Sequence, residues 1–365
     1  MRVLMQSRVS LDRVPGGDTI QVRRTQEALR GLGVEVDLSL ELEPDLSGYD
    51  VVHLFNLARV QESYVQAMNA RRQGKPVALS PIYWNYSEFI RNGGGGWRSA
   101  AGRLLGMEGY ERAKGVWRYL MDGERNAATR ALVIKGYKRL QRSTVEAADV
   151  LLPNSRAEAA LIREDFGLPA EKLRVVVNGV DRSLFDVPEE QLNAADRDLV
   201  TCAARIETRK NQLNLVRALK GTGLKLLLVG NPAPNHASYF AKVRSEADGN
   251  VEFAGWLDQS RLRGIYARTR VHVLPSWFET PGLSSLEAAI CGCNVVVTDR
   301  GSTREYFGDL AYYCEGDSPD SIRAAVMRAW EEPANPELRS RVRGFTWQKA
   351  ASSTLEAYRL VCNGA

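Results

Sequence analysis

Short apolar runs separated by stretches of helical spacing occur in two successive series along this chain, and a polypeptide with that rhythm has few folds open to it. In the first series the runs lie at 3–5, 34–40, 50–54 and 77–79. A helix over 19–30 carries Ile20, Thr25, Ala28 and Leu29 inward and stops at Gly31 and Gly33. The rhythm breaks between 85 and 145, where a basic helix is expected over 125–144. It resumes with strands at 149–152 and 173–177 around a helix at 156–166. The second series has strands at 199–203, 224–229, 271–274 and 294–298, with helices at 212–219, 236–247, 283–291 and 321–330. A last helix covers 348–361. Strands that alternate with helices build parallel βαβ units. The expected fold class is therefore α/β, as two Rossmann-like domains facing each other across a cleft. The expected boundaries are a first domain at 1–187, a polar linker at 188–198, a second domain at 199–345 and a C-terminal segment at 346–365. In open α/β sheets ligands sit beyond the carboxyl ends of the strands, so the chemistry belongs on the loops that follow strands.

Composition narrows the function classes. A chain of 365 residues with 44% hydrophobic and 25% charged residues has room for about two ordinary domains and is neither disordered, collagenous nor a coiled-coil rod. No apolar stretch reaches membrane-spanning length, and the opening MRVLMQSRVS lacks the apolar core of a signal peptide. The expected location is the cytoplasm. Five cysteines are too few and too irregular for a disulfide framework, and Cys291 and Cys293 have no second Cys or His pair to complete a zinc site. Three histidines, His53, His236 and His272, offer no imidazole cluster. The net charge of +5 is uneven: residues 91–142 hold twelve basic and four acidic side chains, interleaved with Trp97, Tyr110, Trp117, Tyr119 and Tyr137. That window calls for an anionic partner, an acceptor or an anionic membrane surface, with a solvated basic face as the plain alternative. Nucleic acid is not expected.

Three segments carry chemistry. Gly16-Gly17 precedes the first helix, and free amides at a helix start attract anions. Neither a dinucleotide fingerprint nor a Walker A loop is present, which counts against nicotinamide dehydrogenases and P-loop NTPases. Arg205-Ile206-Glu207-Thr208-Arg209-Lys210 follows the first strand of the second series, where Arg205 and Lys210 suit a diphosphate clamp; an ordinary solvated basic loop is the alternative. The third segment, 274–288, places Glu279 on a strand-to-helix loop and Glu287 two turns into the helix, with the helix start at Gly282-Leu283 between them. One carboxylate suits sugar hydroxyls and the other a ribose. The alternative for Glu287 is a surface glutamate on an amphipathic helix.

SWFETPGLSSLEAAICGCNVVV resembles the signature of the retaining family-4 glycosyltransferases, which have the GT-B architecture. RIETRKNQLNLVRAL resembles that family's diphosphate clamp, PGGDTIQVRRTQEALRGLGVEV its N-terminal glycine loop and helix, VVVNGVDRSLF its interdomain turn, and FAGWLDQSRLRGIYARTRVHVLPS the stretch that holds the nucleoside. The resemblance implies that Glu287 binds the donor ribose and Glu279 the donor-sugar hydroxyls. It implies that Arg205 and Lys210 hold the diphosphate with amides at Gly17, Gly282 and Leu283, and that Gly230 and Leu257 lie near the nucleoside. It also implies a final helix that crosses back to the N-terminal domain.

The implied function is retaining transfer of a hexose from a nucleotide sugar, GDP-mannose favoured over a UDP-sugar, to a saccharide or polyprenyl-linked saccharide in bacterial surface polysaccharide synthesis. No bound metal or cofactor is implied; Asp196-Arg197-Asp198 is read as surface charge in the linker. Two departures stand out. The region after the fourth strand reads Ser80-Pro81-Ile82-Tyr83-Trp84-Asn85 with no histidine, and Pro281 replaces the usual Phe before Gly282. Whether His53 has a role in catalysis stays open at this point. A GT-B nucleotide-sugar epimerase and a non-catalytic nucleotide-sugar binder are the alternatives.

Overall fold

A computed structural model describes residues 1–85, 89, 97–121, 124–191 and 197–363. The four glycines at 93–96, the start of the basic window and Asp196 lie outside them. In chain order the elements are β1 (Arg2–Gln6), α1 (Gly17–Gly31), β2 (Glu35–Ser39), β3 (Val51–Phe55), α2 (Val60–Arg72), β4 (Val77–Ser80), α3 (Trp97–Leu120), α4 (Ala127–Lys135), α5 (Tyr137–Ala147), β5 (Val150–Leu151) and α6 (Arg156–Phe166). Then come α7 (Arg182–Phe185), β6 (Leu199–Ala203), α8 (Gln212–Leu219), β7 (Lys225–Val229), α9 (Ala237–Glu246), β8 (Val251–Gly255), α10 (Gln259–Arg268), β9 (Thr269–Leu274), α11 (Leu283–Ile290), β10 (Asn294–Thr298), α12 (Thr303–Phe307), β11 (Tyr312–Cys314), α13 (Pro319–Glu331), α14 (Pro336–Arg343) and α15 (Trp347–Asn363).

The chain divides into two compact units, residues 1–178 with 347–365, and residues 179–346. The first contains a parallel sheet in the order β2-β1-β3-β4-β5; the second contains a parallel sheet in the order β11-β10-β9-β6-β7-β8. Both orders reverse direction part-way, which is the arrangement that opens a ligand crevice at the carboxyl edge of each sheet.

The structural boundary falls at 178/179 rather than after residue 187. Val180 pairs with Thr346, Phe185 is fully buried, and Asp186 joins Arg339 and Arg343, each at 2.9 Å. Burial opposes ionisation of Asp186, but the two guanidiniums hold its carboxyl below the usual range. These contacts anchor 179–187 inside the second unit. Arg197 is likewise no linker charge. It is 5% exposed, and its guanidinium donates to the carbonyls of Cys291 (2.6 Å), Thr269 (2.8 Å) and Gly292 (3.0 Å), closing the C-terminal end of α11.

Other elements depart from expectation in the first unit. The basic helix expected over 125–144 is two helices, because Gly136 sits at φ +82° and Glu108 accepts the amides of Tyr137 (2.8 Å) and Lys138 (2.7 Å) at the start of α5. The strand expected at 173–177 is reduced to a single bridge, Leu151 to Leu173. The helix α15 belongs to the first unit and packs on α1. His53 ties that packing to the sheet: its Nδ1 meets the Tyr358 hydroxyl at 2.6 Å and its Nε2 meets Ser80 Oγ at 2.9 Å.

Candidate functional site

In the second unit, β6 to β11 all point the same way, so the loops after them gather on one edge. The loop after β6 holds the basic segment. Its geometry is fixed by Asn211, which sits at φ +60° and donates through Nδ2 to the carbonyls of Pro275 (3.1 Å) and Gly316. The Trp277 amide donates to the Arg209 carbonyl at 2.9 Å, so the loops after β6 and β9 are held side by side.

That pairing brings Lys210 and Glu279 together. Lys210 Nζ donates to Glu279 Oε1, and the Arg209 guanidinium lies 3.7 Å from the same oxygen. Both partners are buried, their side chains 13% and 7% exposed. Burial opposes ionisation of Glu279, but Lys210 and Arg209 beside it hold its carboxyl below the usual carboxylate range. Arg209 also pairs with Glu207 at 3.0 Å and lies over the Phe278 ring. Arg205, partly exposed, lies 3.8 Å from Glu207. The loop thus sets Arg205, Arg209 and Lys210 against Glu207 and Glu279. Arg209 is a member of this cluster that reasoning from the resemblance passed over, although its position one residue before Lys210 was in view.

The backbone at Glu279 is held as firmly as its side chain. Its amide donates to the Arg300 carbonyl at 3.3 Å and its carbonyl accepts from Ser302 at 2.8 Å. Gly301 at φ +93° makes this approach possible: a Cβ there would stand 2.0 Å from the Glu279 carbonyl oxygen. Three residues on, Gly282 caps α11 in the left-handed region at φ 77°, and the helix begins at Leu283. First-turn amides of a helix have no intrahelical acceptor, so this start presents donors next to the Lys210–Glu279 pair. Glu287, 6% exposed, lies on the same helix. It is not the exposed glutamate of an amphipathic surface helix.

The loops that carry Gly230 and Leu257 are joined to each other. The Gly230 amide donates to the Gly255 carbonyl at 2.7 Å, and the Trp256 amide, one residue before Leu257, donates to Asn231 Oδ1 at 3.1 Å. Gly230 at φ +136° packs so tightly that a Cβ would meet the Ala204 carbonyl oxygen at 2.1 Å. It therefore shapes the base of the loop that carries Arg205.

Gly17 belongs to the first unit, where it opens α1 after an extended Gly16. A Cβ on Gly17 would meet no atom within 4 Å, so packing does not demand a glycine there. The preceding loop is organised by Arg8, a residue the sequence reading did not single out. Its guanidinium reaches Asp18 at 2.6 Å, the Val14 carbonyl at 2.7 Å and the Ser10 carbonyl at 2.9 Å. In the same unit, Ile82 stands at φ +47°, an uncommon conformation for a β-branched residue, and the next amide, Tyr83, is held by Glu158 Oε1 at 2.6 Å.

His53 is 1% exposed with both ring nitrogens engaged, and burial pushes its pKa down to about 3. It is a packing residue with no free nitrogen for proton transfer. His272, within the central strand β9, is equally buried, its pKa also lowered to about 3 by burial, with the Lys210 charge adding to the effect. Among the described residues no group of three or more His, Cys, Asp or Glu gathers as a metal site.

Residues 186–344 match the family model described as glycosyl transferases group 1. Almost all of the second unit lies within that match. Relatives of this chain include the O-antigen chain mannosyltransferase B of Escherichia coli, 29% identical over 123 residues, which is 32% of each chain. The D-inositol 3-phosphate glycosyltransferase of Kribbella flavida is 28% identical over 247 residues, 60% of this chain and 58% of that one. The match thus spans about a third of the first relative's length and under two thirds of the second's. Among solved structures, sucrose-phosphate synthase from Thermosynechococcus elongatus superposes with a TM-score of 0.73 at 18% identity over 100% of both chains. Anabaena HepE, solved with UDP and glucose, superposes at 0.69 and 13% identity, covering 98% of this chain and 99% of that one. The fold is that of the GT-B glycosyltransferases.

Proposed function

We propose that the chain is a retaining, metal-independent hexosyltransferase. It takes its sugar from a nucleoside diphosphate donor, GDP-mannose ahead of a UDP-sugar, and passes it to a saccharide or polyprenyl-linked saccharide during surface polysaccharide assembly. The observation that carries this reading is the buried Lys210–Glu279 pair at the carboxyl edge of the second sheet, beside the start of α11. Lys210 and Arg205 receive the diphosphate with the amides of Gly282 and Leu283. Glu279 accepts from donor-sugar hydroxyls, Glu287 from the ribose, and Gly230 and Leu257 flank the base. The mannose preference is supported by the name of the Escherichia coli relative.

Glycosyl transfer builds negative charge on the leaving diphosphate, and cations and helix-start amides fixed in place stabilise it without rearranging. In same-face transfer the leaving phosphate oxygen takes the proton of the acceptor hydroxyl while the new glycosidic bond forms and the old one breaks. No side-chain base is then required, in keeping with a His53 whose ring is fully engaged. The working location is the cytoplasmic face of the membrane, with the chain peripherally attached.

A thermal-shift series with GDP, UDP and their sugars tests the donor: the preferred nucleotide raises Tm with concentration as ligand binding to the folded state requires. Transfer is then followed with the preferred donor and a membrane extract, with and without EDTA, and the anomeric configuration of the product is read by NMR. Retention and undiminished transfer in EDTA are expected. Inversion would overturn the same-face route, and a loss in EDTA restored by Mg²⁺ or Mn²⁺ would overturn metal independence.

A further inference from the structure

The last turns of α3 carry their apolar residues on the wrong side for a helix that packs on a core. Gly115 faces α4, since a Cβ there would stand 2.8 Å from Leu132 Cδ2, and Leu132 is buried. At roughly 100° per residue, Val116, Leu120, Trp117 and Met121 fall at roughly 100°, 140°, 200° and 240° from Gly115. They form an arc centred opposite the packed face. All four are exposed, at 38%, 60%, 60% and 66% respectively, and Ile134 at the end of α4 adds another at 74%. Half of the large apolar side chains exposed among the described residues lie between positions 116 and 134. An exposed apolar ridge such as that of Val116, Trp117, Leu120 and Met121 marks an interaction surface.

The flanks of the arc are cationic. Arg112 and Lys114 lie at its two edges and Arg118 beyond, while Arg125, Arg130, Lys135 and Lys138 are exposed on the neighbouring segments. Several of these are steadied by local contacts: Arg112 Nε donates to the Val133 carbonyl at 2.9 Å, Lys114 pairs with Glu111 at 2.6 Å, and Lys135 donates to the Tyr64 hydroxyl. The surface therefore combines an apolar ridge, a Trp within it and a cationic border, the pattern of a helix that lies in a lipid interface.

We propose that the ridge of Val116, Trp117, Leu120 and Met121 seats the chain on an anionic lipid bilayer. The apolar side chains enter the headgroup boundary, and Arg112 and Arg118 meet lipid phosphates. Charge decides between a bilayer and a second copy of the chain. A twofold dimer on this face would set the same cationic border against itself, whereas anionic headgroups complement it. The proposal rests on the membrane-surface reading of the acceptor given above and identifies the residues that make the contact.

The experiment uses the whole chain and vesicles of either phosphatidylcholine alone or equimolar phosphatidylcholine and phosphatidylglycerol, sedimented at low and high salt. Nucleotide affinity is measured on the same samples. Binding to the anionic vesicles at low salt is expected, with a blue shift of tryptophan emission, and it should weaken as salt screens the cations. The variant Trp117→Ser/Leu120→Ser/Met121→Ser should bind those vesicles about tenfold more weakly or worse, since each side chain removed is exposed and contributes only when it enters lipid. Its nucleotide affinity and Tm should match those of the parent. No binding of the parent at low salt, or equal binding of parent and variant, overturns the proposal. So does a concentration-dependent dimer that the triple substitution dissolves. Failure of the nucleotide measurement with vesicle binding intact would instead overturn the transferase reading and leave the docking surface standing.

Discussion

The Lys210 ammonium and the Glu279 carboxylate form a buried ion pair that joins the loop after β6 to the loop after β9. Breaking such a pair from one side strands a buried charge, which costs about 3–5 kcal/mol. Lys210→Ala should therefore lower Tm and also slow transfer by about 10²–10³-fold, the usual effect of losing one preorganised donor. The two effects separate in the double variant Lys210→Ala/Glu279→Gln. Neutralising the stranded carboxylate should recover part of the stability and none of the rate. Recovery of both together would show that Lys210 acts only on folding.

Glu287→Ala should weaken nucleotide binding more than it disturbs folding. The residue is buried on α11, the helix capped by Gly282. Calorimetric titration with the preferred nucleotide checks this. Equal affinity in parent and variant would remove Glu287 from the donor site.

Gly301→Ala should distort Glu279 without touching any polar side chain. The new Cβ would meet the Glu279 carbonyl oxygen at 2.0 Å, and φ at this position is +93°. A clash with backbone at a strained φ costs about 2 kcal/mol or more. Gly264→Ala is the matched control, because no atom lies within 4 Å of a Cβ there and the residue is inside α10. It should raise stability by about 0.5–1 kcal/mol. Chemical denaturation of both variants gives the comparison; a Gly301→Ala protein as stable and active as its parent would contradict the close approach.

How far the sequence could be read depended on whether a residue's partner was local. The Glu279–Glu287 segment, the helix over 212–219 and the start of α1 were legible because spacing and glycine placement within a few residues define them. The helix α2 was not. Its sequence VQESYVQAMNARR has too many polar residues for an apolar stripe, yet Gln61, Glu62, Gln66 and Asn69 are all buried. Three of them satisfy distant loop backbone: Gln66 donates to the Ser7 carbonyl at 2.9 Å, Asn69 to the Pro44 carbonyl at 2.9 Å, and Glu62 accepts the Val9 amide at 2.7 Å. Arg197 misled for the same reason. A charge in a polar stretch looks like linker until the carbonyls of residues 269, 291 and 292 fold around it. Glu108 likewise breaks a helix at Gly136 from a position 28 residues upstream.

The His53–Tyr358 contact yields the last prediction, on stability rather than catalysis. The hydroxyl and the ring nitrogen, 2.6 Å apart and both buried, join β3 to α15. Removing the hydroxyl in Tyr358→Phe leaves a buried nitrogen without its partner, at a cost of about 1–3 kcal/mol. Nucleotide affinity should not change, because neither residue belongs to the second unit. The pH dependence has a definite sign. His53 titrates near 3 when folded against 6.5 when exposed, so the unfolded chain takes up the proton first. The stability that neutral His53 confers is complete above pH 6.5 and is lost progressively as the pH falls toward about 3. Replacing the ring in His53→Asn should therefore flatten the decline of stability between pH 6.5 and 4, even though the variant is less stable at pH 7. Urea unfolding of parent, Tyr358→Phe and His53→Asn across that range measures it. Parallel pH profiles for parent and His53→Asn would show that the ring is protonated in the folded chain and that burial does not hold it neutral.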